Sequence, residues 1–374
     1  MKSSDHIIYA ILLVLTLGVA YGTWKGEEPE EKSSVVVFEP TGGLASLEWD
    51  GERNAATIEI TGEGDDLETW VVAGRKEKVE GPALPPPTGD DDSAAEAVAG
   101  AGDDDSADAT AEEEPTPAPK PEYGEPVFKS FPGNEQAKKL VTSLSPLSAL
   151  RRFDDLDADA LEQMGLNESN GTLTLEDGTG KTASFEVGSK AYGSNDTYVR
   201  VAGGNTVYLV SSKVLGPLRG AETRLMERNI FGFEEEDATA ATVSTGVASV
   251  SFSHQGRHDK ANAFWARPDA LETRDTPAQG FVEKVFQLRA TAYQTEDETV
   301  AEGDLETMVT VSLEREEGDP GSVALARSVD AEKSTDDETI YVWWAKTHRT
   351  RDQWVKVSRS TASDLAEQAP GLLE

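Results

Sequence analysis

The sequence predicts an α+β protein: an N-terminal transmembrane helix, then two tandem related units, each a mostly antiparallel sheet packed with one main helix. Three observations predict this. An uncharged run, Ile7–Trp24, follows a short polar start. A similar phrase occurs twice, "GLASLEW" at 43–49 and "GVASVSF" at 246–252. Between Glu80 and Pro126, fourteen acidic residues stand against the single Lys120. The expected boundaries are 1–34 for the membrane anchor and juxtamembrane segment, 35–233 for the first unit, and 234–374 for the second. Within the first unit, 80–126 is expected to be a disordered acidic insert.

The run "IIYAILLVLTLGVAYGTW" at 7–24 spans ~27 Å as a helix, close to the hydrocarbon thickness of a bilayer. Tyr9, Tyr21 and Trp24 lie towards its ends, where aromatic rings suit the interface. Lys2 and the terminal amine precede it, although Asp5 and Lys25 weaken the orienting signal. The bulk is expected outside the cytoplasm. The competing reading is a signal peptide cleaved after Ala20, with Gly18 and Ala20 as the small residues. In the insert, "DDDSA" occurs at 90–94 and 103–107. So little apolar surface cannot offset the entropy of ordering, which predicts a solvated spacer. The Asp runs lack the Gly and distal Glu of an EF-hand loop.

The order of elements carries the claim of duplication. "GLASLEW" leads to "TIEIT" (57–61) and "TWVVAG" (69–74), then, past the insert, to "FPGNEQAKKLVTSLSPLSAL" (131–150). "GVASVSF" leads to "NAFWARPDA" and then "TPAQGFVEKVFQLRATAY" (276–293). Ala137, Leu140, Val141 and Leu144 mark one helix face, and Phe281, Val285, Leu288 and Ala292 mark the other. Pro132 and Pro277 suit helix starts, and Pro146 ends or kinks the first helix. Hairpins follow at 171–187 and 307–328, each alternating about a Gly-containing turn. Two strands come next in each half, and short amphipathic segments, Lys213–Arg219 and Ser363–Gln368, close them.

Composition narrows the function. The 374 residues contain no cysteine, which excludes disulfides, thiolate nucleophiles, zinc–sulfur sites and a lipid anchor built on cysteine. A net charge of −36 argues against nucleic acid as a partner, because phosphate recognition needs clustered Lys and Arg.

The chain resembles a bacterial domain-of-unknown-function family, numbered 4340. The matching stretches are "GLASLEW", the Trp of "TWVVAG", the helix "NEQAKKLVTSLSPLSAL", "LDADALEQMGL" at 156–166, the hairpin "LTLEDGTGKTASFEVG" and "YVRVAGGNTVYLVSS" at 198–212. They cover most of 36–233 outside the insert and, more loosely, 243–370. The family usually carries prolines where "GLNES" stands here. The resemblance implies a membrane-anchored envelope protein of the bacterial inner membrane, single-pass with its bulk in the periplasm. It also implies ABC transporter subunits of the gliding-motility type as partners, and no established activity.

Direct chemical signatures are few. "HQGRHD" sets His254 and His258 four apart, but Gln255 stands where a metalloprotease needs Glu, and Gly256 favours a turn. "DDLDADALEQMG" at 154–165 has Ala160 where a calcium loop needs Gly; a short helix with Asp157 near its N-cap and Gly165 past its end explains it better. Asn167, Asn170 and Asn195 open Asn-x-Ser/Thr triplets that read as turns. No nucleophile elbow, phosphate loop or dinucleotide fingerprint occurs. No cofactor, metal or catalytic residue is expected. The candidate interaction residues are Trp343 and Trp344, which point to opposite faces if they share a strand. One can fill the core, and the other needs cover from the sister unit or a partner. The function expected is that of a non-enzymatic accessory of an ABC-type envelope system. A periplasmic glycan- or peptide-binding module is the alternative, and a metal-dependent hydrolase comes third.

Overall fold

The computed structural model describes residues 34–79 and 121–374, apart from 247, 296, 336 and 337. Strand dominates. The first sheet has the order β5-β4-β3-β2-β8-β9-β10-β11-β7. Its strands are β2 (Leu44–Gly51), β3 (Asn54–Thr61), β4 (Glu68–Lys78), β5 (Tyr123–Pro132), β7 (Arg151–Phe153), β8 (Gly171–Asp177), β9 (Thr182–Lys190), β10 (Thr197–Val201) and β11 (Val207–Val210). A two-stranded ribbon joins β1 (Val35–Phe38) to β6 (Leu147–Ala149). The second sheet runs β14-β13-β12-β16-β17-β18-β19-β15. Its strands are β12 (Ala238–Thr245), β13 (Ala248–Gln255), β14 (Phe264–Ala266), β15 (Ala290–Ala292), β16 (Glu306–Arg315), β17 (Gly321–Val329), β18 (Tyr341–Lys346) and β19 (Val355–Val357). All the pairings are antiparallel. From β4 to β7 and from β14 to β15, strands of corresponding chain order take corresponding places, and β5 is extra.

The expected α+β class, with one main helix per sheet behind a transmembrane helix, is corrected to mostly antiparallel sheets. No helix among the described residues is long and apolar enough to cross a membrane, and the expected span at 7–24 lies outside them. The first sheet carries α1 (Glu135–Ser143) and the short helices α2 (Ala158–Gln163), α3 (Ser212–Leu218) and α4 (Ala221–Arg224). The second carries two sizeable helices, α5 (Thr276–Phe286) and α6 (Arg359–Leu372), which pack on each other. Ala362, Leu365, Ala369 and Leu372 form the buried stripe of α6, at the spacing a half-buried helix needs.

Local chemistry explains why the helices are shorter than their apolar spacing predicts. Asn134 starts α1, its side chain accepting from the amides of Gln136 and Ala137. Residues 147–149 leave the helix to pair with β1. Asp275 caps α5 by accepting from Ala278 N–H, with Pro277 in the first turn. Ala290 and Ala292 then pair with β19, so tertiary pairing overrides helical spacing. Most of the acidic insert lies outside the described residues, but Tyr123–Pro126, assigned to it by composition, belongs to β5 and pairs with β4.

The two phrases are not equivalent in place. "GLASLEW" lies on β2, whereas Ala248–Phe252 of the second lies on β13, which holds the position of β3. "ATAATVST" of β12 stands where β2 stands. Any half-buried strand alternates in this way, and the pattern cannot tell neighbouring strands apart.

Asp177 fixes the turn of the β8–β9 hairpin and ties it to the start of β2. Its buried carboxylate accepts from Thr179 Oγ1 (2.6 Å), Thr179 N–H (2.9 Å), Lys181 N–H (3.0 Å) and Thr41 N–H (3.1 Å). The Thr179 hydroxyl, assisted by the backbone amides of Thr41, Lys181 and Thr179, lowers its pKa to about 2. A depressed carboxylate stabilises the fold above its unfolded value, about 3.9, and loses that contribution as pH falls through 2. The Asp177→Asn variant is therefore expected to melt at a lower temperature than wild type at pH 7. Melts at falling pH should show the gap closing between pH 4 and pH 2, where wild type loses the same charge.

Candidate interaction surface at the seam of the two sheets

Residues 224–231 form a strap between the halves, and both halves hold its carbonyls. Asn134 of the first half donates its side-chain amide to Arg224 O (2.9 Å) and Met226 O (3.1 Å), and its backbone N–H to Leu225 O (2.9 Å). From Glu227 onward the donors come from the second half: Tyr293 Oη to Glu227 O (3.0 Å), Ala290 N–H to Arg228 O (2.8 Å) and Thr347 Oγ1 to Ile230 O (3.0 Å). The Arg349 guanidinium donates to Phe231 O. Buried carbonyls need such partners. Burial raises the Tyr293 phenol above the usual tyrosine range, which keeps it a neutral donor. Its ring lies 5.6 Å from that of Phe131 on β5.

The loop after β18 builds one wall of a cleft beside the strap. Thr347 and Thr350 cap one another's backbone, and the fully buried Thr350 hydroxyl donates to Thr347 O or Gln353 O at 2.9 and 2.8 Å. This pins two successive non-glycine residues in the left-handed region, Arg351 at φ 50° and Asp352 at φ 58°. Such backbone costs about 1–3 kcal/mol per residue and persists where surrounding contacts enforce it. The result presents the Arg351 guanidinium 3.9 Å from the centroid of the Trp70 ring on β4 and 3.3 Å from Glu59 Oε2 on β3. Arg349 lies 3.3 Å from Glu227, and Arg315 lies over the Phe233 ring at 4.5 Å.

The cleft encloses about 760 Å³, with Trp70, Phe231 and Phe233 as aromatic lining and Arg315, Arg349 and Arg351 as donors. Thr69, also part of its lining, is buried, and its hydroxyl has no hydrogen-bond partner among the described residues. Gly133 allows that approach, because a Cβ there would fall 2.1 Å from Thr69 Oγ1. A smaller cavity of about 310 Å³ lies elsewhere on the seam, beside the antiparallel bridge of Lys129 with Thr295, and is lined by Trp354, Gln294 and Gln353.

Trp343 and Trp344 sit on β18 with 5% exposure each. Trp343 joins the core. The Trp344 indole donates to Ser328 Oγ on β17 at 2.9 Å, and Lys356 of β19 lies over its ring at 5.4 Å. Its cover therefore includes its own sheet. His254 stacks on Trp265 at 4.4 Å, with Nδ1 2.9 Å from Ala238 O, and His258 is exposed. Asp157 caps α2 by accepting from Ala160 N–H. Sequence reasoning missed Trp70, Arg351 and Thr69. The signal available was "THRTRDQW" (347–354), polar residues and a Trp clustered in a loop between strands, but nothing in it names Trp70 as the partner.

Fold and seam together define a two-sheet β protein with a cleft across its junction. Residues 131–306 match the model of a domain of unknown function, DUF4340, and that stretch belongs to this family. The match starts at the end of β5 and stops at the start of β16, so it straddles the strap instead of covering one half. Neither a curated protein nor a solved structure matches the chain.

Tyr293→Phe tests the strap. It removes the donor to Glu227 O and leaves a part-buried carbonyl without that partner, an expected loss of about 1 kcal/mol. Equilibrium unfolding in denaturant, with an unchanged slope, measures it.

Proposed function

We propose that this chain is a non-enzymatic accessory protein of the bacterial envelope, working outside the cytoplasm with an ABC-type transport system, and that it holds a partner in the seam cleft. The observation that carries this reading is the strained Arg351–Asp352 pair, which aims a guanidinium over Trp70. Aromatic faces and fork-shaped guanidinium donors are what partner surfaces use for anchoring. A strap bonded from both sides holds that geometry before any partner arrives, which lowers the ordering cost of binding. The transporter as partner class rests on the family resemblance.

A second reading, a glycan- or peptide-binding module, is supported by the smaller cavity beside Trp354. Its glutamines are held in place, Gln294 by Trp354 O and Val300 N–H and Gln353 by Ser130 Oγ, and its volume lies near the lower end for small-ligand sites.

Cross-linking of the tagged full chain in its own host decides between them. Wild type is expected to capture ABC transporter subunits. Arg351→Glu, an exposed charge reversal, should reduce that capture by at least about tenfold at equal expression, as loss of a central anchor does. Failure of wild type to capture any transporter subunit sinks the proposal. Equal capture by the variant removes the cleft from it.

A further inference from the structure

Four outer strands bound the two sheets, and three of them are closed. β5 carries Pro126 and Lys129, and it meets Thr295 in an antiparallel bridge. β7 is three residues long and begins with Arg151 and Arg152. β15 is equally short, and its margin is tied to the strap by Ala290 N–H on Arg228 O and by the bridge of Asn229 with Arg289. Short length, cationic side chains, proline and cover are the devices that blunt an edge against strand addition.

At the fourth margin β14 is also short and covered, its Trp265 backbone bonded by Gln279 Oε1 and Asp275 N–H, but β13 runs on beyond it. β14 pairs with β13 only through Phe264, Trp265 and Ala266 against Gln255, His254 and Ser253. Pro268 stands just beyond, without an N–H to continue a ladder. Among the described residues, no strand meets the outer side of Ala248–Phe252. The first sheet shows what such a margin takes: β3, in the position of β13, is paired along its whole length by β4. The uncovered sequence is Ala-Ser-Val-Ser-Phe, with no charge, proline or glycine, in a chain where 28% of residues are charged. Phe252 is buried, Val250 on the same face is partly covered, and Ser249 and Ser251 are exposed on the other.

We infer that Ala248–Phe252 is a strand-addition site, which takes an extended peptide segment of a partner polypeptide antiparallel to β13. The backbone supplies the hydrogen bonds, and apolar side chains at alternate positions of the peptide extend the surface of Val250 and Phe252. A second copy of this chain is the poorer occupant. Five residues make an edge of about 17 Å, too small for the roughly 800 Å² per partner of a stable interface. Two chains of net charge −36 also repel one another. The site is separate from the seam cleft.

The probe is a labelled peptide with the sequence of β4, Glu68–Lys78, which fills the equivalent margin of the first sheet. Titrated with the full chain, it is expected to bind saturably by anisotropy, and a scrambled peptide is not. Bound peptide should slow amide hydrogen exchange within 248–252 by at least about tenfold, as new ladder bonds require. Ser249→Lys/Ser251→Lys, which places on this edge the charges other edges carry, should weaken binding by at least about tenfold with an unchanged melting midpoint. If the pair lowers the midpoint, Ser251→Lys alone serves. No saturable binding, or binding undiminished in the lysine variants, overturns the inference. Amides of 248–252 already protected in a concentration-dependent way without peptide also overturn it, in favour of a second copy. None of these outcomes bears on the Arg351→Glu capture.

Discussion

The carbonyls of the strap between Arg224 and Phe231 constrain the rest of the structure. Leu225, Met226, Ile230 and Phe231 of this connection are buried between the sheets, and backbone oxygens held away from water need donors from one side or the other. Asn134 supplies the first group, while Tyr293, Ala290, Thr347 and Arg349 supply the second. The change of donor falls at Glu227, whose own N–H still reaches back to Pro132 O. One peptide thus belongs to both halves, and their relative placement is set by hydrogen bonds as well as by apolar contact. The apolar core agrees, because buried residues of the two halves, including Phe131 and Tyr293, belong to one continuous cluster.

That constraint also fixes the geometry of the cleft beside the strap. Strain is stored only where the surroundings enforce it. Thr347 is bonded to the strap through Ile230 O and caps the turn that ends at Thr350. The left-handed Arg351 and Asp352 follow directly. Strap, capped turn, strained pair and presented guanidinium therefore form one chain of cause. The Trp70 side is equally fixed, because β4 lies between β3 and β5, paired on both sides.

Much of this architecture was legible in the sequence, and what was not has physical reasons. The strands of the hairpins at 171–187 and 307–328, the starts of α1 and α5 and the Asp157 cap follow from local alternation and capping chemistry. Helix lengths did not, because Leu147–Ala149 and Ala290–Ala292 are claimed by strands distant in the chain. The repeated phrase pointed to two sheets yet matched β2 to the wrong neighbour, since period two carries no strand identity. For Trp343 and Trp344, alternation gave the faces but not the cover: Ser328 and Lys356 become neighbours of Trp344 only through the pairings of β17, β18 and β19. The seam was least legible, because Trp70 and Arg351 meet across most of the chain and no glycine marks the left-handed turn.

The two halves differ at their margins far more than along their shared strand order. The first half gains β5, and that strand is committed to the seam through Phe131, Lys129 and the bridge to Thr295. The second half gains the long helix α6 over its sheet and, among the described residues, has no counterpart of β5. An edge strand can serve only one neighbour. Because β5 closes the first sheet against the second, it cannot also present an open ladder, and its Pro126 removes one of the donors such a ladder would need. The second half carries no such duty along β13. After Trp265 its chain turns at Pro268 towards the Asp275 cap of α5, and the capping bond of Ala278 and the Asp275 N–H on Trp265 O hold it there. Building the helix start close to β14 is therefore what shortens that strand. The same local chemistry that completes the second core leaves the outer side of Ala248–Phe252 without a strand among the described residues.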